Sequence, residues 1–519
     1  MRILLEFHNI CKRRIIQNHN LKWLPIIIIG IAVILRFIQF VSDRSLWLDE
    51  SMLALNITSR SFAELFQPLD YFQVAPIGFL VLEKSVVGLL GNNEYALRLF
   101  PFICGISSLF LFWSVANYTI RKNGVLWALC LFGSNKFLIY YSAEIKQYAS
   151  DVAITLVLYL ITIYIRKKEG FKATYIFLYG VAGAISIWFS LPSAFVLAGV
   201  GTSLFVFSGL KRDWQRASWL ALSCLFWLVS FGVYILIYTS DISHNLGFQR
   251  EYWQNVFMPL PPLSISDVKW FAETFFEIIK NPVGLTFNGI GALCFLCGGL
   301  SLFEKDKEWF FCLLGPIFAA LLVSGFQLYP FSGRVLLFAV PCFYIFIGHG
   351  LSYIWEKLQH ISKTPYVILL SLLLMHPIFF ATLQLITMKP NKTIVRENIK
   401  PVMQYLKEHK RKGDSVYLFR LSESGFKYYA ERYGFSNLDY KVGIGLNSDF
   451  NDNLKKIRKD LDQLRGHERV WLMFSHSRSK GLNYDMIYLT YLEKIGHKID
   501  SFTDIDASIY LYDLSMAHP

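Results

Sequence analysis

The chain is 519 residues long, 54% hydrophobic and only 17% charged, with a net charge of +13 and a mean hydropathy of +0.39. A soluble chain carries about 25% charged residues, so a purely soluble body is excluded and an α-helical polytopic membrane protein is expected. The lysines and arginines lie mainly in short segments between apolar runs and in the last quarter of the chain. That placement suits topology signals and anionic headgroups, not a nucleic-acid face.

Residues 1–22 are polar and basic, with Lys12, Arg13, Arg14 and Lys22 ahead of an apolar run at 23–41. The run approaches the ~20 residues of a spanning helix, and no small-residue cleavage site follows. An uncleaved first span with a cytoplasmic N-terminus is expected. After it comes DRSLWLDESMLAL, residues 43–55, in which Asp49 and Glu50 are adjacent. Such a pair reads either as a helix cap, with Ser45 or Asp49 accepting from the first turn, or as a functional acid pair.

The stretch 76–91 decides the topology. It is short and carries Glu83 and Lys84 near its centre, each costing roughly 2.5–3.5 kcal/mol at mid-membrane. If it does not span, the basic segments at 121–122, 166–172, 211–216, 305–307 and 357–363 all fall on the cytoplasmic side with the N-terminus; if it spans, all face outward. The first arrangement is expected, with 76–91 an interfacial or re-entrant helix of a first outer loop at 42–95, lying against the outer face. About 11 transmembrane helices follow: 23–41, 96–118, 124–141, 148–165, 174–189, 193–207, 219–238, 283–303, 309–326, 334–353 and 366–387. A long outer loop at 239–282 carries Asp241, His244, Arg250, Glu251, Tyr252, Trp253 and three prolines, and reads as a lid or as decoration.

Two domains are expected, a membrane domain at 1–390 and a soluble α/β extracytoplasmic domain at 391–519. In the latter, strand-like runs at 415–419, 469–474 and 508–512 alternate with helical patterns around 397–410, 425–433, 453–464 and 484–495. His467, His476 and His497 are scattered there and read as surface histidines. The eight cysteines lie almost entirely in or beside apolar runs, none after 342. Cys294 and Cys297 form a CxxC with no partner pair nearby, which reads as helix packing.

Polar residues gather on the outer side of this topology: Asp49, Glu50, Gln73, Glu94, Arg98, Glu144, Lys146, Tyr148, Asp151 and Arg334. Acids for general-base work and cations for an anionic substrate make a reaction centre at that interface the expectation. Taken singly, Glu94 and Arg98 also read as an i,i+4 pair, Lys146 as a snorkelling side chain and Arg334 as a headgroup anchor.

The ordered set LDES, AP-IGFLVLEK, GNNEYALRLFPFICG, YYSAEIKQYASD and YPFSGRVLLFAVP resembles the polyprenyl-phosphate-dependent membrane glycosyltransferases of GT-C type. More narrowly it is similar to the protein mannosyltransferase and lipid A aminoarabinose transferase superfamily, glycosyltransferase family 39-like and bacterial. The resemblance covers about the first 165 residues and the Arg334 region. It implies a GT-C fold and transfer of a sugar from a polyprenyl-phosphate donor to a glycan, lipid or protein acceptor at the outer face of a bacterial inner membrane. Asp49 would be the general base that takes the acceptor's proton or positions its hydroxyl or amine, and Glu50 would support it or the donor sugar. Arg98, Lys146 and Arg334 would hold the donor phosphate, with Gln73, Glu144 and Tyr148 as substrate-binding residues. In the aminoarabinose transferases a Glu-Lys-Pro triplet, its acid near a metal, precedes the juxtamembrane helix. Here Val74-Ala75-Pro76 stands in its place, with Gln73 nearby, so the resemblance leaves a divalent metal open without assigning one, and phosphate binding rests on other cations. The competing classes are a lipid-linked glycan transporter or flippase, which would carry ionisable or broken helices at mid-membrane, an O-antigen polymerase or ligase built on the 239–282 loop, and a structural membrane protein.

Overall fold

A computed structural model describes residues 23–167, 173–238, 247, 250–389, 396–445, 449–479 and 482–515. It divides into two compact units. One comprises Met1–Ser42, Ser61–Pro68 and Val74–Asn391. The other comprises Asp43–Arg60, Leu69–Gln73 and Lys392–Pro519.

The first unit is a multi-pass bundle. Among the described residues eight helices are long and apolar enough to cross a membrane: Leu24–Val41, Glu94–Thr119, Tyr148–Lys167, Ser193–Leu210, Trp214–Ile237, Lys307–Gly325, Gly333–Leu358 and Thr364–Thr387. The other three expected spans are shorter or broken. The run at 174–189 is a helix of 17 residues, Ala173–Phe189. The run at 283–303 becomes helical only from Asn288, ending at Lys305. The run at 124–141 breaks into Lys122–Ser134 and Lys136–Tyr141. Asn135 makes that break. Its side-chain oxygen accepts from the backbone N–H groups of Phe137 at 2.7 Å and Leu138 at 3.0 Å, capping the second half. Its amide nitrogen donates to the carbonyls of Pro282 at 3.1 Å and Val283 at 2.9 Å. Asn135 thus satisfies exposed backbone on two segments at once, as an apolar surround requires. Gly284 adjoins it with a φ of +80°, a conformation that strains any side-chain-bearing residue, and a Cβ there would lie 3.3 Å from the Asn135 amide nitrogen.

Ile77–Leu90 is a helix of 14 residues closed by Gly91 at φ +83°. At 1.5 Å per residue it spans about 21 Å, short of a ~30 Å hydrocarbon core. Its first half is buried and its end, Leu89 and Leu90, is exposed. The segment at 239–282, expected as a loop, contains the helix Ile265–Lys280, started by a Ser264–Asp267 capping box; residues 239–246 and 248–249 lie outside the described set.

The basic segments expected on one side are tied together by acids. Glu308 receives Lys211 at 2.6 Å and Arg166 and Arg216 at 3.3 Å, while Arg166 also reaches Asp306 at 2.7 Å. Arg121 pairs with Glu356. Close helix packing carries the middle of the bundle. The backbones of Asn288–Lys305 and Val340–Leu358 touch where a Cβ on Gly298 would run into the carbonyl of Phe346, and one on Gly350 into the carbonyl of Cys294. Cys294 is a buried free thiol in that contact, so the CxxC is a packing surface of small residues.

The second unit carries a five-stranded sheet in the order β2-β1-β3-β7-β6. Its strands are β1 Ser415–Leu418, β2 Lys441–Val442, β3 Val470–Ser475, β6 His497–Asp504 and β7 Ala507–Asp513; β4 Arg478–Ser479 and β5 Leu482–Asn483 form a separate antiparallel pair. β1 runs parallel to β2 and β3, with Ser415 beside Val470, whereas β7 is antiparallel to β3, with Val470 beside Tyr512. Every residue of β3 is buried, the pattern of a central strand covered on both faces. Helices Ile399–His409, Glu423–Tyr433, Phe450–Asp462 and Tyr484–Ile495 flank it. A further helix comes from far upstream: Leu48–Ser59 packs on Glu423–Tyr433 and belongs to this unit.

Replacing Gly298 by Ala should force the two glycine-packed helices apart at a cost of about 1–3 kcal/mol. The thermal midpoint of the detergent-purified protein should fall, and Gly289→Ala, at a glycine with nothing within 4 Å of the added methyl, should leave it unchanged.

Candidate functional site

The acidic pair lies in the first turn of Leu48–Ser59, whose N-cap residue, Trp47, makes no side-chain capping bond. The N-cap position thus falls on Trp47 and not on Ser45 or Asp49. Cap duty falls to residues from the far end of the chain. Glu397 Oε1 accepts from the Leu48 N–H at 3.3 Å, and the Tyr429 hydroxyl accepts from the Leu46 N–H at 3.0 Å. Ser45 Oγ donates to Asn398 Oδ1 at 2.7 Å and accepts from the Lys400 N–H at 3.1 Å. Ser51 Oγ meets Ser424 Oγ at 2.8 Å, and Lys400 Nζ reaches Asp43 at 2.8 Å. The Arg396 guanidinium covers the Trp47 ring at 3.8 Å, a cation–π distance.

The two acids differ sharply. Glu50 is wholly buried and accepts from Arg44 at 2.9 and 3.4 Å, with Arg44 itself nearly buried. Asp49 stays half-exposed at the start of the helix, where the helix dipole favours a negative charge. A half-exposed carboxylate beside a neutralised, hidden one can take a proton from an incoming group; the hidden one cannot meet that group directly.

Gln73 lies in the same unit, buried, with its amide nitrogen 3.6 Å from Met52 Sδ and 3.3 Å from the Tyr71 carbonyl. The turn before it is left-handed at Tyr71 and Phe72, with φ values of 62° and 54°. Asn56 steadies that turn by accepting from the Asp70 N–H at 2.9 Å, and Arg60 pairs with Asp70 at 3.0 Å. Gln73 is thereby held one helical turn beyond Asp49.

The remaining candidates belong to the bundle unit. Glu94 and Arg98 occupy the first two turns of Glu94–Thr119, both buried, behind an Asn93 cap that accepts from the Ala96 N–H at 2.9 Å. Glu144 and Lys146 are buried in the tight segment between Tyr141 and Tyr148, where the Lys146 N–H donates to the Glu144 carbonyl at 2.7 Å. Arg334 stands 5.8 Å from the Tyr148 ring, which brings together two candidates 186 positions apart. Asp151 is buried one turn beyond Tyr148. Among the described residues no group of three or more His, Cys, Asp and Glu side chains is placed to hold a metal ion.

Sequence reasoning overlooked four residues here. Arg44 sat inside the acidic stretch but was not singled out. Arg396, Glu397 and His476 are distant in sequence, and His476 was read as a surface residue. Instead His476 Nδ1 lies 2.7 Å from Glu397 Oε1. Burial opposes the imidazolium, but the hydrogen bond and charge of Glu397, with Asp506 and Asp49 adding to them, outweigh it and raise the pKa above its ordinary 6.5. No local pattern in the sequence marks these residues.

Protein-family models and curated protein sequences give no match to the chain. Solved structures do. ArnT from Cupriavidus metallidurans in the apo state superposes with a TM-score of 0.55 at 11% identity over 95% of this chain and 98% of that one. The same protein bound to undecaprenyl phosphate gives 0.54 at 11% identity over 96% and 100%. The oligosaccharyltransferase AglB from Archaeoglobus fulgidus, in complex with an inhibitory peptide and a dolichol-phosphate, gives 0.53 at 10% identity over 95% and 74%. These likenesses establish the fold: it is the GT-C fold of ArnT and AglB.

Removing the guanidinium from Arg44 should take a charged partner from the buried Glu50 carboxylate, at a cost of about 3–5 kcal/mol. Arg44→Met should therefore lower the thermal midpoint strongly, and Arg44→Met combined with Glu50→Leu should recover most of the loss.

Proposed function

We propose that this chain is a membrane glycosyltransferase. It moves a sugar from a polyprenyl-phosphate donor to a glycan, lipid or protein acceptor at the outer face of a bacterial inner membrane. The observation that carries the reading is a half-exposed carboxylate, Asp49, on a capped helix start in a chain of GT-C fold. Support comes from the similar structures: ArnT was solved with undecaprenyl phosphate and AglB with a dolichol-phosphate and a peptide. Both lipids present a phosphate on a polyprenyl chain.

In this reading Asp49 accepts the proton of the acceptor's hydroxyl or amine as that atom attacks the anomeric carbon. The bond from that carbon to the phosphate oxygen breaks, and the polyprenyl phosphate leaves with the electron pair. One displacement inverts the anomeric configuration. Arg98, Lys146 and Arg334 stabilise the departing phosphate, since cations fixed where charge develops lower the barrier more than they aid binding. Glu144 and Tyr148 of the bundle unit, and Gln73 of the second unit, are the further substrate-binding residues of this reading. Glu50 acts through Arg44 and the helix start as a positioning residue. The orientation follows from loop charge: residues 42–95 and the segment from 391 onward lie outside, with the N-terminus in the cytoplasm.

Asp49→Asn should keep expression and membrane insertion but cut transfer from a radiolabelled polyprenyl-phosphate sugar in membranes by about 100-fold or more. Full transfer by the variant would remove Asp49 as the base. Failure of wild-type membranes with several donor sugars would overturn the function itself. A reporter fused after residue 92 should be extracytoplasmic; a cytoplasmic signal would refute the orientation.

A further inference from the structure

His476 follows β3 in a left-handed conformation, φ 53°, which few residues other than glycine adopt and in which histidine, asparagine and aspartate are enriched. Its backbone N–H is held by the Asp506 carbonyl at 3.3 Å. That conformation brings its Nδ1 to Glu397, a buried residue just ahead of the helix Ile399–His409. The Glu397 oxygen it meets is the one that accepts from the Leu48 N–H. A single carboxylate oxygen therefore joins the imidazole to the Trp47–Leu48 peptide, one residue ahead of Asp49. The His476 and Trp47 rings lie 6.3 Å apart, and Arg396 covers Trp47. The charged groups facing the imidazole are Glu397, Asp506 and Asp49, with Arg478 and Asp485 beside Asp506.

We infer that Glu397 and His476 are a positioning pair for Asp49: Glu397 fixes the first N–H of the catalytic helix, and His476, in its charged form, fixes Glu397. This rests on the reading of Asp49 as the base. Hydrogen-bonded partners one step removed from the reacting group are worth roughly 10–100-fold in activity where they have been removed from metal sites, and the same scale is expected here. The charge also sets a pH dependence. Because Glu397, Asp506 and Asp49 raise the His476 pKa above 6.5, the charged grip is complete below that value and is lost as pH rises through the raised value. Transfer should thus decline on the alkaline side. Asp506, pushed up to about 6 by burial and Glu397, ionises on the acid side of that decline.

The test uses the full-length protein in detergent. His476→Asn keeps a donor near the Nδ1 position and tolerates φ 53°, whereas His476→Gln places its amide elsewhere. Gln should lower kcat about 10–100-fold with KM for the polyprenyl-phosphate sugar unchanged. Asn should recover most of that loss and remove the alkaline decline. Equal kcat and an unchanged pH profile in both variants would overturn the pairing. A second readout needs no substrate: the imidazole of His476, followed by NMR, should titrate at lower pH in Glu397→Gln and, by a smaller amount, in Asp49→Asn. No downward shift in either variant would overturn the inference whatever the transfer assay shows. A shift in both, with transfer retained in Asp49→Asn, would uphold the coupling geometry but overturn the inference as a statement about catalysis, through failure of the base assignment.

Discussion

A carboxylate with no access to solvent is tolerable only if a cation meets it, and Glu50 is met by Arg44 six residues earlier. Much else in the second unit follows from that pair. It fixes the turn from Asp43 to Trp47, and so directs the helix that begins at Leu48. It also neutralises one of two adjacent negative charges, while Asp49 occupies the favourable end of the helix dipole. The pair is worth little as raw stability against an apolar substitute; its contribution is geometry.

The cap of the same helix is built on a different principle. Its Leu48 N–H is met by Glu397, and the residues around it by Tyr429, Asn398, Lys400 and Ser424. An acidic turn placed this way is rigid because its hydrogen bonds end on a folded α/β unit and not on solvent. General-base chemistry rewards that rigidity, since a proton acceptor works only within hydrogen-bond reach of the proton it takes. The cations assigned to the donor phosphate rest on a different body, the helical bundle, where Arg334 is steadied by Tyr148.

The bundle was largely legible in the sequence because hydropathy is a one-dimensional signal: a run of apolar residues reads as a helix without knowledge of its neighbours. It failed at Asn135, where one polar residue in an apolar run served two backbone segments, the second of them at Pro282 and Val283. In the α/β unit the strands at 415–418, 470–475 and 507–513 were readable from their apolar runs. β6 was not: as an edge strand it alternates exposed and half-buried residues and reads HKIDSFTD. Asp49 and Glu50 were visible as an unusual pair, and Arg334 through its position before an apolar run. Glu397 and His476 were not visible, because their meaning arises only when strands and helices bring residues 48, 397 and 476 to one point. The membership of 43–60 in the C-terminal unit is hidden for the same reason.

That membership has a consequence for how the chain comes into being. The Leu48 N–H and its acceptor Glu397 are 349 residues apart. At roughly 5–20 residues per second of synthesis, the helix carrying the acidic pair waits some 20 to 70 seconds for the residues that cap it. During that interval Arg44 is already at hand for Glu50, only six residues away, so the buried charge of Glu50 is shielded first. The later bonds then act as a completion check: the acidic turn acquires its final geometry only in a chain whose last quarter has been made and has folded.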